Sequence, residues 1–149
     1  MQAVLDYLKQ HEARFVLELC DYVRFPIVSA QPQHRPDMQR CAQWLEQRCQ
    51  KIGLATQIHQ TSGHPVVTAR TPRRPGTRRP HFLVYGHYDV QPPEPFELWK
   101  TPPFEPAIIG RSIFGRGASD NKGQHLAHLN AVEACLQTGT ELPCDLTFL

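Results

Sequence analysis

No run of apolar residues in this sequence approaches the ~18 that a membrane-spanning helix needs, so no such span is predicted. The opening stretch MQAVLDYLKQHEARF lacks the charged-then-apolar order of a secretion signal, and a cytoplasmic location is expected. Cysteine is sparse: Cys20, Cys41, Cys49, Cys135 and Cys144 are odd in number and form no C-x-x-C, which argues against a disulfide framework and against a thiolate zinc site. Buried reduced thiols are expected instead. An excess of one charge is also lacking, since 16 Lys and Arg against 14 Asp and Glu leave +2, too little for a general nucleic-acid or membrane-surface footprint. The one basic concentration, Arg73 to Arg79 (RRPGTRR), is broken by Pro75 and Gly76 and reads as a solvated loop. At 149 residues, 40% hydrophobic and 20% charged, the chain suffices for one domain with a sizeable core. Composition names no function.

The periodicities are more informative. From Val4 to Val23 apolar residues recur at three- and four-residue steps, with a gap near His11 and Pro26 as the stop, which predicts an amphipathic helix. A second helix is predicted from Pro36 to Ile52, with Met38, Cys41, Ala42, Leu45 and Cys49 on one side and Gly53 beyond its end. The period then shortens, predicting strands at 54–60 and 65–70 around the turn TSG. HFLVYG, residues 81–86, suits a strand buried on both faces of a parallel sheet. The proline-rich segment Pro92–Pro106 is a surface excursion, and AIIGRSIFGRG reads as a hairpin turning at Gly110. A third long helix is predicted at 121–136, and CDLTFL starts another strand. Strand 81–86, helix 121–136 and strand 145–149 then form a βαβ unit with a right-handed crossover and a parallel sheet.

Two polar constellations fall at the carboxyl edge of that sheet, where open α/β folds place their ligands. In VYGHYDVQP, His87 and Asp89 are two apart on extended chain, so Asp89 can accept the second N–H of the imidazole, an arrangement common behind metal-binding histidines. A pair of residues capping a strand end by hydrogen bonds is the other reading of H-x-D. In GRGASDNKG, Gly115–Gly123, the glycines permit close backbone approach and Asp120 stands at a helix start, where it can cap. A phosphate-cradling loop is disfavoured, because Asp120 occupies the third glycine position of G-x-G-x-x-G and would repel a phosphate. A cation would be accepted there. His87 and Asp120 lie 33 positions apart (120 − 87) but on one edge, as half of a two-metal centre would. His125 and His128 are read as a polar helix face rather than as ligands.

In order and spacing, GHYDVQP, Trp99, PPFEP and IFGRGASDNKG resemble the co-catalytic zinc metallopeptidases of clan MH, which include carnosine dipeptidase-like enzymes, glutamate carboxypeptidase, aminoacylase and succinyl-diaminopimelate desuccinylase. The wording DVQPP and PPFEP looks most like the dipeptidase branch. The resemblance implies an α/β three-layer sandwich, a mostly parallel twisted sheet flanked by helices. Residues 1–149 would be the N-terminal portion of its catalytic domain, with the rest of that domain and the lid or dimerisation domain absent. It implies two divalent ions, zinc first with manganese or cobalt as alternatives. His87 would be a ligand to one, Asp120 would bridge both, and Asp89 would be the catalytic aspartate that orients His87. The implied reaction is hydrolysis of a peptide or N-acyl amide bond in a small peptide or N-acyl amino acid, by water activated between the metals. No nucleic-acid or membrane partner is implied, and a homodimer of the full-length protein is left open. The general-base glutamate and the remaining ligands would lie beyond Leu149, leaving the chain inactive alone. A non-catalytic metal- or peptide-binding module of the same fold is the alternative.

Overall fold

The computed structural model describes residues 1–73, 76 and 78–149. Arg74, Pro75 and Thr77 lie outside the described residues, and the reading of RRPGTRR as a solvated loop falls there with them. The first predicted helix is two, α1 (Gln2–Gln10) and α2 (Glu12–Val23), meeting at His11. The break falls in the gap of the apolar pattern between Leu8 and Phe15, where no continuous stripe holds one straight helix against a neighbour. Helix α3 (Arg35–Lys51) has proline in its first turn and buries Met38, Cys41, Ala42, Leu45 and Cys49, as the periodicity requires.

Strands β1 (Ala55–His59) and β2 (Val66–Arg70) form an antiparallel hairpin in which Ala55 faces Arg70. Strand β3 (His81–Val84) follows, then the excursion, the separate hairpin of β4 (Ala107–Ile109) and β5 (Ser112–Phe114), helix α4 (Lys122–Gln137) and strand β6 (Asp145–Phe148). The main sheet has the order β1-β2-β6-β3. The βαβ unit is present, with β3 parallel to β6 and His81 opposite Asp145. The sheet as a whole is mixed rather than mostly parallel, because β2 pairs with both β1 and β6 antiparallel. The physical reason is the short connection from β1 to β2, which can join only antiparallel neighbours.

Among the described residues the layers are those of part of the expected α/β fold, one sheet face being covered by helices. Cys49 of α3 and Leu126, Leu129 and Val132 of α4 share one core with Ala69 and Phe148 of the sheet, so both helices cover the same face. Helices α1 and α2 lie against α4. Strand β3 has β6 as its one partner in the sheet and is an edge, with Phe82 55% and Leu83 62% exposed, not a strand buried on both faces. A second core of Tyr22, Ile27, Val28, Met38, Cys41, Leu45 and Val90 lies under the end of β3. The proline-rich excursion is held down by the indole N–H of Trp99, which donates to Pro93 O at 2.7 Å, and by the Arg116 guanidinium, 5.0 Å from the Trp99 ring centroid. It is thereby clipped to the glycine-rich loop.

Candidate metal centre

Pairing with β6 carries the chain one step past β3: Leu149 N–H donates to Val84 O (3.0 Å) and Gly86 N–H to Leu149 O (2.8 Å). Gly86 is a close-approach glycine. A Cβ built there would meet His125 Cδ2 at 2.9 Å and Asn121 Oδ1 at 3.0 Å, so a larger residue would lift the following His87 from the start of α4. Beyond it, side chains alternate. Tyr88 turns into the second core, where its hydroxyl donates to Pro65 O at 2.6 Å and burial raises its pKa, while His87 and Asp89 stay together on the opposite side.

His87 is held from both ends. Its Nδ1 lies 3.3 Å from Asp89 Oδ1 and 3.2 Å from the Asp89 carbonyl oxygen, and its Nε2 lies 3.0 Å from Asp120 Oδ1. The second oxygen of Asp89 accepts a hydrogen bond from the Ser29 hydroxyl. The structure thus brings together His87, Asp89 and Asp120. The Asp120 carboxylate is directed to His87, and the N-cap of α4 is Asn121, with no side-chain capping bond. Its side chain is 84% exposed, so one carboxylate oxygen remains open. His87 divides two cavities: one of about 410 Å³, mostly apolar, lined by Met38, Leu45, His64, Tyr85 and His125 among others, and one of about 400 Å³ lined by Asp89, Gln91 and the loop Gly115–Asp120.

An imidazole nitrogen and carboxylate oxygens form a donor set suited to zinc, manganese or cobalt. His87 and Asp120 fit such an ion, with the second cavity beside them. Among the described residues no group of three or more His, Cys, Asp or Glu side chains is gathered to hold a metal.

Three contributors escaped the sequence reading. Ser29 comes from a loop with no motif. Lys122, inside GRGASDNKG, is wholly buried, its ammonium donating to the carbonyls of Tyr22 (3.1 Å) and Phe25 (3.0 Å) and lying 3.5 Å from that of Val23; burial lowers its pKa to about 8. His125 is not on a solvated face. It lies against Gly86 and Phe148, and burial, aided by His128 and His87, pushes its pKa down to about 4. His128, in contrast, is exposed as expected. The available signal was the stripe Lys122, Leu126, Leu129, Glu133, which puts charged residues in register with the buried leucines of α4.

A helix-covered mixed sheet with a histidine and carboxylates at its carboxyl edge defines the class: the α/β fold of a metallopeptidase catalytic domain. Human carnosine dipeptidase 1 has that fold along 99% of this chain and 33% of its own, with a TM-score of 0.87 and 29% identity. Residues 83–149 match the model of peptidase family M20/M25/M40. A Cys-Gly metallodipeptidase of Candida albicans is 30% identical over 98% of this chain and 33% of its own length. A succinyl-diaminopimelate desuccinylase of Dechloromonas aromatica is 35% identical over 76% of this chain and 29% of its own. Over residues 83–149 the chain is thus similar to peptidase family M20/M25/M40, and it spans about a third of the length of the curated relatives it matches.

Proposed function

We propose that the chain supplies part of the centre of a metal-dependent hydrolase that cleaves a peptide or N-acyl amide bond in a small substrate such as a dipeptide. The observation that carries the reading is the two-sided hold on His87, with Asp89 at Nδ1 and Asp120 at Nε2. The names of the relatives, dipeptidases and a desuccinylase, support the substrate class. His87 and Asp120 would hold divalent metal, zinc or else manganese or cobalt, with Asp120 shared between two ions. Such ions, when bound, supply Lewis acidity toward the scissile carbonyl and lower the pKa of water. Asp89 accepts the Nδ1 proton of His87, which fixes the tautomer with the Nε2 lone pair directed outward and makes the ring more basic. The Ser29 hydroxyl holds Asp89 in that position. A full donor set and a general base are required besides these residues, so turnover belongs to a protein that contains them. A cytoplasmic location fits the five free cysteines, and no helix among the described residues is long and apolar enough to cross a membrane.

The experiment is metal analysis and dipeptide hydrolysis on three variants. Asp120→Ala and His87→Ala should each remove bound metal and activity. Asp89→Asn keeps the shape but loses the charge, and should lower metal affinity or activity about 10- to 100-fold. Normal metal content in Asp120→Ala would refute the assignment.

A further inference from the structure

His87 and Asp120 come from separate segments, and both segments are fastened to the same short stretch of chain, residues 22–29. At one end of it, the last turn of α2 exposes carbonyls that have no partner within the helix, a place that favours a cation. The Lys122 ammonium fills it, bonded to the carbonyls of Tyr22 and Phe25, and its stem lies against Gly117, where an added Cβ would meet Lys122 Cδ at 3.2 Å. Lys122 is wholly buried, so the loop that carries Asp120 is wrapped around a fixed peg. At the other end, Val90 N–H donates to Ile27 O at 2.9 Å, Val28 and Val90 form a parallel bridge, and Ser29 donates to Asp89.

We propose that residues 22–29 act as a bracket that sets the separation of His87 from Asp120, with Lys122 and Ser29 as its positioning residues. This rests on the reading of His87 and Asp120 as metal ligands. A lysine that merely closed a helix end would stabilise the fold without governing the distance between two side chains on other segments. The bracket does both, because each of its ends is tied next to one ligand.

The test uses Co²⁺ as the probe, read by its absorption spectrum and affinity, together with amide hydrogen exchange on the metal-free protein. Lys122→Met keeps the stem and removes the ammonium; Ser29→Ala removes the hydroxyl; Val132→Ala, in the other core, is a control for general destabilisation. Cobalt affinity should fall about 10-fold or more in Lys122→Met, as changes directly behind a ligand do, and less, roughly 3- to 10-fold, in Ser29→Ala, which acts one contact further away through Asp89. It should stay within about twofold in Val132→Ala. Exchange should quicken at 115–121 in Lys122→Met and at 87–90 in Ser29→Ala. If both variants bind cobalt as the wild type does while Asp120→Ala has lost it, the bracket is refuted and the ligand assignment stands. If Asp120→Ala binds cobalt like the wild type, the ligand assignment fails, and unchanged exchange in the two variants would then refute the bracket as well. Should Lys122→Met not fold, Ser29→Ala decides alone by the same two readouts.

Discussion

Gly86→Ala links packing to the site in one methyl group. The added carbon would sit 2.9 Å and 3.1 Å from His125 Cδ2 and Cγ and 3.0 Å from Asn121 Oδ1, about 0.5 to 1 Å inside ordinary contact. His125 cannot withdraw easily, because Cγ is one bond from its anchored Cβ and the Phe148 ring lies close by, 6.3 Å between centroids. The backbone cannot withdraw without losing the 2.8 Å bond from Gly86 N–H to Leu149 O. Overpacking of this kind costs about 1–3 kcal/mol. For a chain of this size each kcal/mol lowers Tm by about 2–4 °C. Urea unfolding should therefore show a loss of about 2 kcal/mol. In the background of His125→Ala, where the ring is gone, the same substitution should cost at least about 1 kcal/mol less, the coupling expected of residues in contact. A Gly86→Ala protein within about 0.5 kcal/mol of wild type, or a penalty equal in both backgrounds, would refute the reasoning.

Glu133 accepts from Tyr7 Oη at 2.9 Å and from the guanidinium groups of Arg14 and Arg48, so Glu133→Ala, which leaves the buried Arg48 only Glu18 and Asn130 as partners, should cost about 1.5–3 kcal/mol in denaturant unfolding. His125, with a folded pKa of about 4 against about 6.5 unfolded, should remain neutral to about pH 5 in an NMR titration of the metal-free protein. The unfolded state binds the extra proton, so this residue's stabilising contribution is complete above about pH 6.5 and declines by about 3 kcal/mol as pH falls to 4, which unfolding curves against pH would register. Burial pushes the Cys41 thiol to about 12 and Cys49 to about 11, and Cys20 is buried too. At pH 8 a thiol reagent should label Cys135 and Cys144 first, and rapid labelling of Cys41 would contradict the core as described.

What was legible in the sequence was what one element decides by itself. Helices α3 and α4 announced their buried stripes, β1 and β2 their alternation, and His87 and Asp89 their shared side of an extended chain. What depends on a neighbour was not legible. An apolar run such as HFLV is the same whether it becomes a central strand or an edge, and the pairing partner decides. The hand of each ladder likewise follows from which strand lies beside which. His125 was misread because a histidine three residues from another on a helix looks like a solvated pair until Gly86 is found to leave room for one of the rings.

The same distinction explains why the motifs are visible and their support is not. His87, Asp89 and Asp120 stand in short runs of unusual composition, because a strand end and a glycine loop must deliver polar groups where a packed chain would exclude them. Residues 22–29 are subject to no such demand on their side chains. They hold Val90 with the backbone oxygen of Ile27, and Lys122 with the backbone oxygens of Tyr22 and Phe25. Main-chain acceptors are present at every position, so the sequence of the bracket carries almost no mark of its role, Ser29 excepted. The mark appears on the other partner, as a lysine in the buried register of α4 where an apolar residue would be expected. A lysine placed there is stable only if enough acceptors surround it, and the end of a helix supplies them. The buried charge is thus the legible half of a contact whose other half is backbone.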